Sequence, residues 1–236
     1  MFSELYDSQA ITLVVFEGDS ATPYVFRNQD TLSFGRRSSG QMPDIAVQSP
    51  FVSRDHGQFL RINASWFYCD KGSKNGTMLK GRVIKDGMRG RLVPVLLSHG
   101  DVLKVASSSA YDAPSCLILF LMGDCWNTWE LCLKNRKKIT FGNSSHHDIQ
   151  LIGEDLSGTA VLRKTRDCGW LFSADFENIL VNNRKSGHGV YTSYPVQTMD
   201  CIGIEGYYFV LQEDGLFCPT SSVLRINTRR NTFRSR

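Results

Sequence analysis

Ser49–Phe59 reads SPFVSRDHGQF, and it sets a hydroxyl (Ser53), a fixed cation (Arg54) and an imidazole (His56) within four residues at the start of a strand-like run. Three chemistries fit such a cluster: a Ser/His catalytic pair, an anion cradle, or a polar turn. The stretches around it decide between them. Upstream lie Gly35-Arg36 at the end of TLSFGR and the run DIAV at Asp44–Val47. Downstream come SWFYCD at Ser65–Asp70, then Gly72-Ser73-Lys74-Asn75-Gly76-Thr77, then His99-Gly100-Asp101. Polar motifs fall between short apolar or alternating runs, which is how loops at the end of a β-sheet look.

The same habit runs through the chain. ITLVVF, YVFR, GQFLRI, VLKVA and CLILFLM occupy the first half, and WELCL, KKITFG, TAVLRK, GWLFSA and YYFVLQ the second. Turn residues recur roughly every 8–12 positions, the spacing of an all-β sandwich or barrel. The halves also align in order. TLSFGRRSSGQMPDIAV (Thr31–Val47) parallels KITFGNSSHHDIQLI (Lys138–Ile152), and SHGDVLKV (Ser98–Val105) parallels QTMDCIGI (Gln197–Ile204). Two copies of one small β domain are expected, over residues 1–122 and 123–212, followed by a basic flexible tail or linker at 213–236. From Gly215 to Arg236 there are five arginines and no acid.

Composition narrows the function. The 236 residues are 42% apolar, enough for real cores. A net charge of +4 gives no case for a nucleic-acid partner. The longest apolar run, Cys116–Met122, is a buried strand and falls far short of the roughly 20 residues that span a bilayer. Seven cysteines without a CxxC pair read as small buried hydrophobes in a reducing compartment. His146-His147 has no carboxylate or cysteine at ligand spacing, so no metal and no cofactor are expected.

In this order and with these gaps, the first-copy motifs resemble the forkhead-associated (FHA) domain family, whose pattern is GR, then SxxH, then NG. The resemblance covers about Ile11 to Met122 and implies two-sheet sandwiches whose loops bind phosphothreonine peptides. It implies that the positions of Arg36 and Ser53 bind phosphate, and that Arg54, Ser73, Lys74 and Asn75 complete the phosphopeptide site. Gly35, His56 and Gly76 are expected as structural support. The chemistry suits the role. Arg36 offers planar paired donors and a charge that does not titrate. Ser53 offers a hydroxyl beside its own backbone N–H, and the Asn75 carboxamide suits a ligand peptide bond.

The second copy departs from the pattern. Asn143 follows Gly142, Gly158 and Ala160 stand where the first copy has arginine and histidine, and Glu177–Asn183 lacks the Asn-Gly turn. A degenerate copy without a phosphate site is expected. A hydrolase using Ser53 and His56 is disfavoured, because the chain lacks a GxSxG elbow and residues three apart on a strand face opposite ways. No catalytic residue is assigned.

The expected function is a phosphothreonine-binding module that recruits partners modified by a Ser/Thr kinase. The alternative is a phosphate-independent docking platform at the amino terminus of a larger protein. Two copies followed by a basic stretch resemble the amino-terminal region of type VII secretion coupling ATPases. That likeness implies a cytoplasmic setting and membrane contact only through a segment beyond Arg236. Arg229 and Arg230 precede Thr232, a pattern basophilic kinases accept, so docking of phosphorylated Thr232 at the Arg36/Ser53 site is a further expectation.

Overall fold

The structure, a computed structural model, describes residues 10–40, 42–85, 93–105, 115–125, 127–153, 156–167, 169–185, 193–220 and 225–228. These residues are all-β, and the chain divides into two units, Met1–Asp124 and Cys125–Arg236. The division falls two residues after the boundary expected from the turn residues at Met122–Thr128.

In the first unit the strands are β1 (Ala10–Glu17), β2 (Ser20–Arg27), β3 (Thr31–Arg36), β4 (Ile45–Val47), β5 (Gly57–Ile62), β6 (Ser65–Asp70), β7 (Thr77–Leu79), β8 (Arg82–Ile84), β9 (Val95–Leu96), β10 (Asp101–Val105) and β11 (Cys116–Met122). They form two sheets, ordered β2-β1-β11-β10-β7-β8 and β4-β3-β5-β6-β9. Period-two alternation places Leu32, Phe34, Phe59, Tyr68, Ile118 and Phe120 in one apolar core. Burial of such rings and branched chains, each contributing about 1.5–3 kcal/mol, is what holds the sheets together.

The second unit holds β12 (Asn127–Cys132), β13 (Lys138–Gly142), β14 (Ile149–Ile152), β15 (Thr159–Lys164), β16 (Trp170–Ala174), β17 (Ile179–Val181), β18 (Arg184–Lys185), β19 (Ser193–Val196), β20 (Cys201–Ile204), β21 (Tyr207–Leu211), β22 (Gly215–Thr220) and β23 (Arg225–Thr228). Its sheets run β12-β22-β21-β20-β17-β18 and β19-β16-β15-β13-β14-β23. Phe141, Leu162, Phe172, Phe176 and Phe209 lie in its core.

Strand by strand, β3–β11 correspond to β13–β21. Small polar devices recur at matching places. Asp44 Oδ2 accepts the backbone N–H and hydroxyl of Ser33, as Asp148 Oδ2 accepts those of Thr140. Asp101 Oδ2 caps the Ser98 N–H at 2.7 Å, as Asp200 Oδ2 caps that of Gln197 at 3.0 Å.

The copies differ in where one strand comes from. In the first unit the strand beside β11 is the first among the described residues, β1, and Ile11 pairs with Met122. In the second, the equivalent place beside β21 is filled by β22, with Leu211 paired to Leu216 through a tight hairpin. β12 then holds the edge place of β2. The second unit is thus a circular permutation of the first. The ends of β1 and β11 lie side by side, with the Gly123 N–H donating to the Ala10 carbonyl, so joining them by a turn keeps the sheet intact.

The expectation of a flexible tail from residue 213 therefore fails for two segments. Gly215–Thr220 is a fully buried strand, and its Leu216 and Cys218 join the unit's core. Arg225–Thr228 pairs antiparallel with β14 and buries Ile226. Thr232, Arg229, Arg230, Arg234 and Arg236 lie outside the described residues, and with them the expected docking of phosphorylated Thr232. Among the described residues of the first unit, β4 has no added strand. Tyr24 closes its edge by donating to the Ala46 carbonyl at 3.1 Å. No helix among the described residues is long and apolar enough to cross a membrane.

Candidate functional site

Three loops of the first unit converge: the end of β3, the β4–β5 loop and the β6–β7 loop. The Arg36 N–H donates to the Ser53 carbonyl at 2.9 Å, and its side-chain Nε donates to the Val52 carbonyl at 3.2 Å. The Lys74 N–H donates to Ser53 Oγ at 3.0 Å, and Asn75 Nδ2 donates to the Phe51 carbonyl at 2.7 Å. Arg36 and Ser53 are half-buried, whereas Arg54 and Lys74 are exposed. With Ser53 Oγ accepting from Lys74, its own hydrogen is left to donate outward. The Arg36 guanidinium meets a neutral carbonyl and no carboxylate among the described residues.

Gly35 makes this approach possible. A Cβ there would overlap the Arg54 carbonyl oxygen and sit 3.1 Å from that of Ser53. Gly76 has φ +76°, a backbone region side chains resist, and a Cβ would stand 3.0 Å from the Ile84 carbonyl.

Beneath the loops lies a buried polar network. His56 is fully buried, its Nδ1 accepts the Ser53 N–H at 3.0 Å, and its ring meets Phe34 at 5.2 Å. Nε2, carrying the proton, donates to Thr77 Oγ1 at 3.2 Å, and Thr77 Oγ1 also bonds the Tyr68 hydroxyl at 2.7 Å. Burial depresses the His56 pKa to about 4, outweighing the nearby Asp70 carboxylate, so the ring is neutral at pH 7. Asp70 Oδ1 accepts the Gly72 and Ser73 N–H groups, and its Oδ2 accepts the Ser73 hydroxyl at 2.6 Å.

Measured against the sequence reading, the structure brings Arg36, Ser53, Arg54, Lys74 and Asn75 to one end of the first unit. Gly35, His56 and Gly76 stand in supporting places. Ser73 does not face outward. It is 1% exposed, and its hydroxyl both donates to Asp70 and accepts from the Gly76 N–H at 2.9 Å, so it shapes the loop. The Ser53 N–H is spent on His56, so only the Ser53 hydroxyl remains for a ligand. Asn75 also ties one loop to another through Nδ2. A Ser53–His56 relay has no hydrogen bond to run along, because the imidazole takes the serine's main-chain N–H rather than its hydroxyl. The sequence reading missed the roles of Asp70, Thr77 and Tyr68. An Asp with Gly two and Ser three residues later was the available signal for the Asp70 turn.

Residues 22–106 match the family model described as FHA domain. This segment is an FHA domain. Among solved structures, the chain is similar to the FHA domain of an Arabidopsis thaliana hypothetical protein, at 24% identity over 49% of this chain and 87% of that one, TM-score 0.40. It is also similar to an FHA domain solved in work on phosphothreonine-dependent FHA interactions, at 20% identity, 49% and 98% coverage, TM-score 0.37. The N-terminal FHA domain of EssC, a component of the bacterial type VII secretion apparatus, aligns over 93% of this chain and 95% of its own at 14% identity, TM-score 0.39. No curated protein matches the chain.

The corresponding end of the second unit is built without the charge of the FHA domain's loops. Asn143 Nδ2 donates to the Leu156 carbonyl at 2.6 Å. The site over Gly142 is filled by the His147 imidazole, where the FHA domain has the Arg54 main chain over Gly35. No group of three or more His, Cys, Asp or Glu that could hold a metal occurs among the described residues.

Proposed function

We propose that the FHA domain binds phosphothreonine peptides at the loop cluster of Arg36, Ser53, Arg54, Lys74 and Asn75, and so recruits partners modified by a Ser/Thr kinase in the cytoplasm. The observation that supports this reading most is the pairing of Arg36 with the 52–53 segment while Lys74 holds the Ser53 oxygen. It sets the Arg36 guanidinium and the Ser53 hydroxyl beside the Lys74 main chain, and among the described residues neither group bonds a carboxylate. A phosphate monoester brings up to two negative charges and three acceptor oxygens to such a cradle. The module works by binding, with no chemical step assigned to it.

The second unit has a different role. Its Asn143 makes the loop brace but supplies no charge, which favours a phosphate-independent surface there, serving assembly. Calorimetric titration of the whole chain with one peptide in phosphorylated and unphosphorylated forms tests both points. Heat with the phosphorylated form alone, lost in Arg36→Ala, supports the reading. Equal heat with both forms, unaffected by Arg36→Ala, sinks it and leaves a docking platform.

A further inference from the structure

The second unit gathers positive charge at the end of its sheet away from Asn143. β13 starts at Lys138 and ends at Gly142, next to the Asn143 brace. Lys138 pairs with Arg163 across the β13–β15 ladder, and the next pair, Ile139 and Leu162, is fully buried, so Lys138 and Arg163 stand on the solvent face. The Lys164 N–H donates to the Lys137 carbonyl at 2.9 Å, and Lys164 Nζ lies 5.9 Å from the centre of the Trp170 ring. Arg166 sits in the turn that the Thr165 N–H closes on the Gly169 carbonyl at 2.8 Å. All five cations are exposed, and none has an ion-pair partner among the described residues. One acid, Asp167, shares the turn with Arg166. Asp148 is taken up by Thr140 and Arg136, and Glu213 and Asp214 lie in the hairpin whose Asp214 carbonyl accepts the Leu133 N–H.

The FHA domain shows that the fold does not demand this charge. There the Arg61 N–H donates to the Asp30 carbonyl at 2.8 Å, the bond that Lys164 and Lys137 make in the second unit. Thr31 pairs with Leu60 as Lys138 does with Arg163, and Arg61 pairs with Trp66 as Lys164 does with Trp170. Asn63 lies in the turn that follows. Asp30, Thr31, Leu60, Arg61 and Asn63 together carry no net charge, whereas Lys137, Lys138, Arg163, Lys164 and Arg166 are all cations. Like charges directly opposite on a ladder, as Lys138 and Arg163 are, repel and weaken it. An anionic partner relieves that repulsion.

We propose that this end of the second unit is a docking surface for an anionic lipid bilayer. The residues favour lipid over other polyanions. Lys137, Lys138 and Lys164 are point charges that suit the diffuse charge of a headgroup layer, whereas fixed carboxylates are better met by paired guanidinium forks. Trp170, the aromatic ring of the cluster, is buried, so it offers no platform for stacking nucleic-acid bases. Leu171 pairs with Arg163 and is 36% exposed, which sets an apolar side chain among the cations as an interfacial contact requires. The contact reaches the headgroup layer and does not cross the bilayer.

Co-sedimentation of the full chain with vesicles tests it, using phosphatidylcholine alone and phosphatidylcholine with about 30% phosphatidylglycerol at about 0.1 M NaCl. Binding is expected only with phosphatidylglycerol and should fade by about 0.5 M NaCl. Each cation near such a surface is worth roughly fivefold in affinity. Lys138→Gln, Arg163→Gln and Lys164→Gln together should therefore weaken binding about ten- to a hundredfold, and Arg163→Gln alone roughly fivefold. Circular dichroism of each variant confirms its fold. Arg61→Gln, Arg82→Gln and Lys85→Gln remove as many charges from the FHA domain and should leave binding within about twofold of the parent. Equal loss in the two triple variants overturns the proposal, because net charge alone would then explain binding. A patch variant that binds as well as the parent overturns it too and moves the contact to other cations. Binding to duplex DNA or polyglutamate but to neither vesicle overturns the lipid assignment in favour of a nucleic acid or an acidic protein.

Discussion

Arg36 and Asn143 hold the same place in the two units, and each side chain donates to the carbonyl of an equivalent loop residue, Val52 at 3.2 Å and Leu156 at 2.6 Å. The brace is shared, whereas the charge is not. Arg36→Asn should therefore keep the fold of the FHA domain while removing phosphopeptide affinity. A charge-assisted contact is worth about 1.5–3 kcal/mol, so binding should weaken roughly ten- to a hundredfold. Circular dichroism and titration of one sample measure both quantities. An Arg36→Asn protein that binds as well as the parent would remove Arg36 from the site.

Gly35 and Gly142 offer a matched pair of substitutions. A Cβ at Gly35 would strike the Arg54 carbonyl, which is backbone, whereas one at Gly142 would strike the far end of the His147 side chain, which can swing aside. Gly35→Ala should cost about 1–3 kcal/mol and displace the 53–54 segment. Gly142→Ala should cost less. Thermal unfolding of the two variants ranks them, and phosphopeptide titration should show loss only in Gly35→Ala. Equal costs, or retained binding in Gly35→Ala, would mean that the close approach at Gly35 does not position the loop.

Thr77 sits where His56, Tyr68 and Asp70 meet. Thr77→Val keeps the shape but leaves the His56 Nε2–H and the Tyr68 hydroxyl short of a partner inside the core. Each buried group so stranded costs about 1–3 kcal/mol. A drop of that size in denaturant unfolding is expected, together with a looser 53–56 segment by amide exchange. A neutral effect would show that the network is incidental to loop order.

What the sequence made legible follows from what kind of signal each element carries. Strands with a strong apolar pattern could be read directly, Gly57–Ile62 from its alternation and Cys116–Met122 from an unbroken apolar run that is buried on both faces. The loop residues Arg36, Ser53 and Asn75 could be read through a motif whose spacing ties them together. Gly215–Thr220 was passed over. It follows a polar Gln212–Asp214 turn, holds a proline and precedes a basic stretch, so composition outweighed the short apolar run LFC. Its place is set by a long-range requirement, a missing strand beside β21, which no local pattern records. Ser73 was misplaced for a related reason. Its hydroxyl lies in a motif whose family resemblance implies a ligand contact, but the Asp70 carboxylate three residues earlier draws it inward.

The permutation makes its own prediction. If β22 completes the sheet of the second unit, a chain ending at Gln212 loses a strand whose residues are all buried. The expected outcome is loss of cooperative unfolding for the second unit, with the FHA domain still folded. Limited proteolysis of the shortened and full chains, followed by mass spectrometry, reports each unit separately. A shortened chain whose residues 127–211 stay protected would show β22 to be dispensable.

The buried histidines give the FHA domain an acid sensitivity whose sign can be worked out. Burial lowers both His56 and His99 from 6.5 to about 4. The His99 ring accepts the Met122 N–H through Nδ1 at 3.0 Å, a bond available while that nitrogen carries no proton. Each folded-state pKa lies below the unfolded value, so between about pH 4 and 6.5 the unfolded chain binds protons that the folded one refuses. The stabilisation is whole above pH 6.5 and is lost as pH falls toward 4. By linkage each histidine accounts for about 2 kcal/mol of loss by pH 5. Asp101, whose pKa burial raises despite its bond to Lys80, acts in the opposite direction over part of that range. Denaturant unfolding of the full chain at pH 7.5 and 5.0 should show the transition of the FHA domain moving to lower denaturant at the acid pH. His99→Gln should recover part of the shift. A midpoint that holds steady or rises on acidification would mean that neither ring is held neutral by the fold.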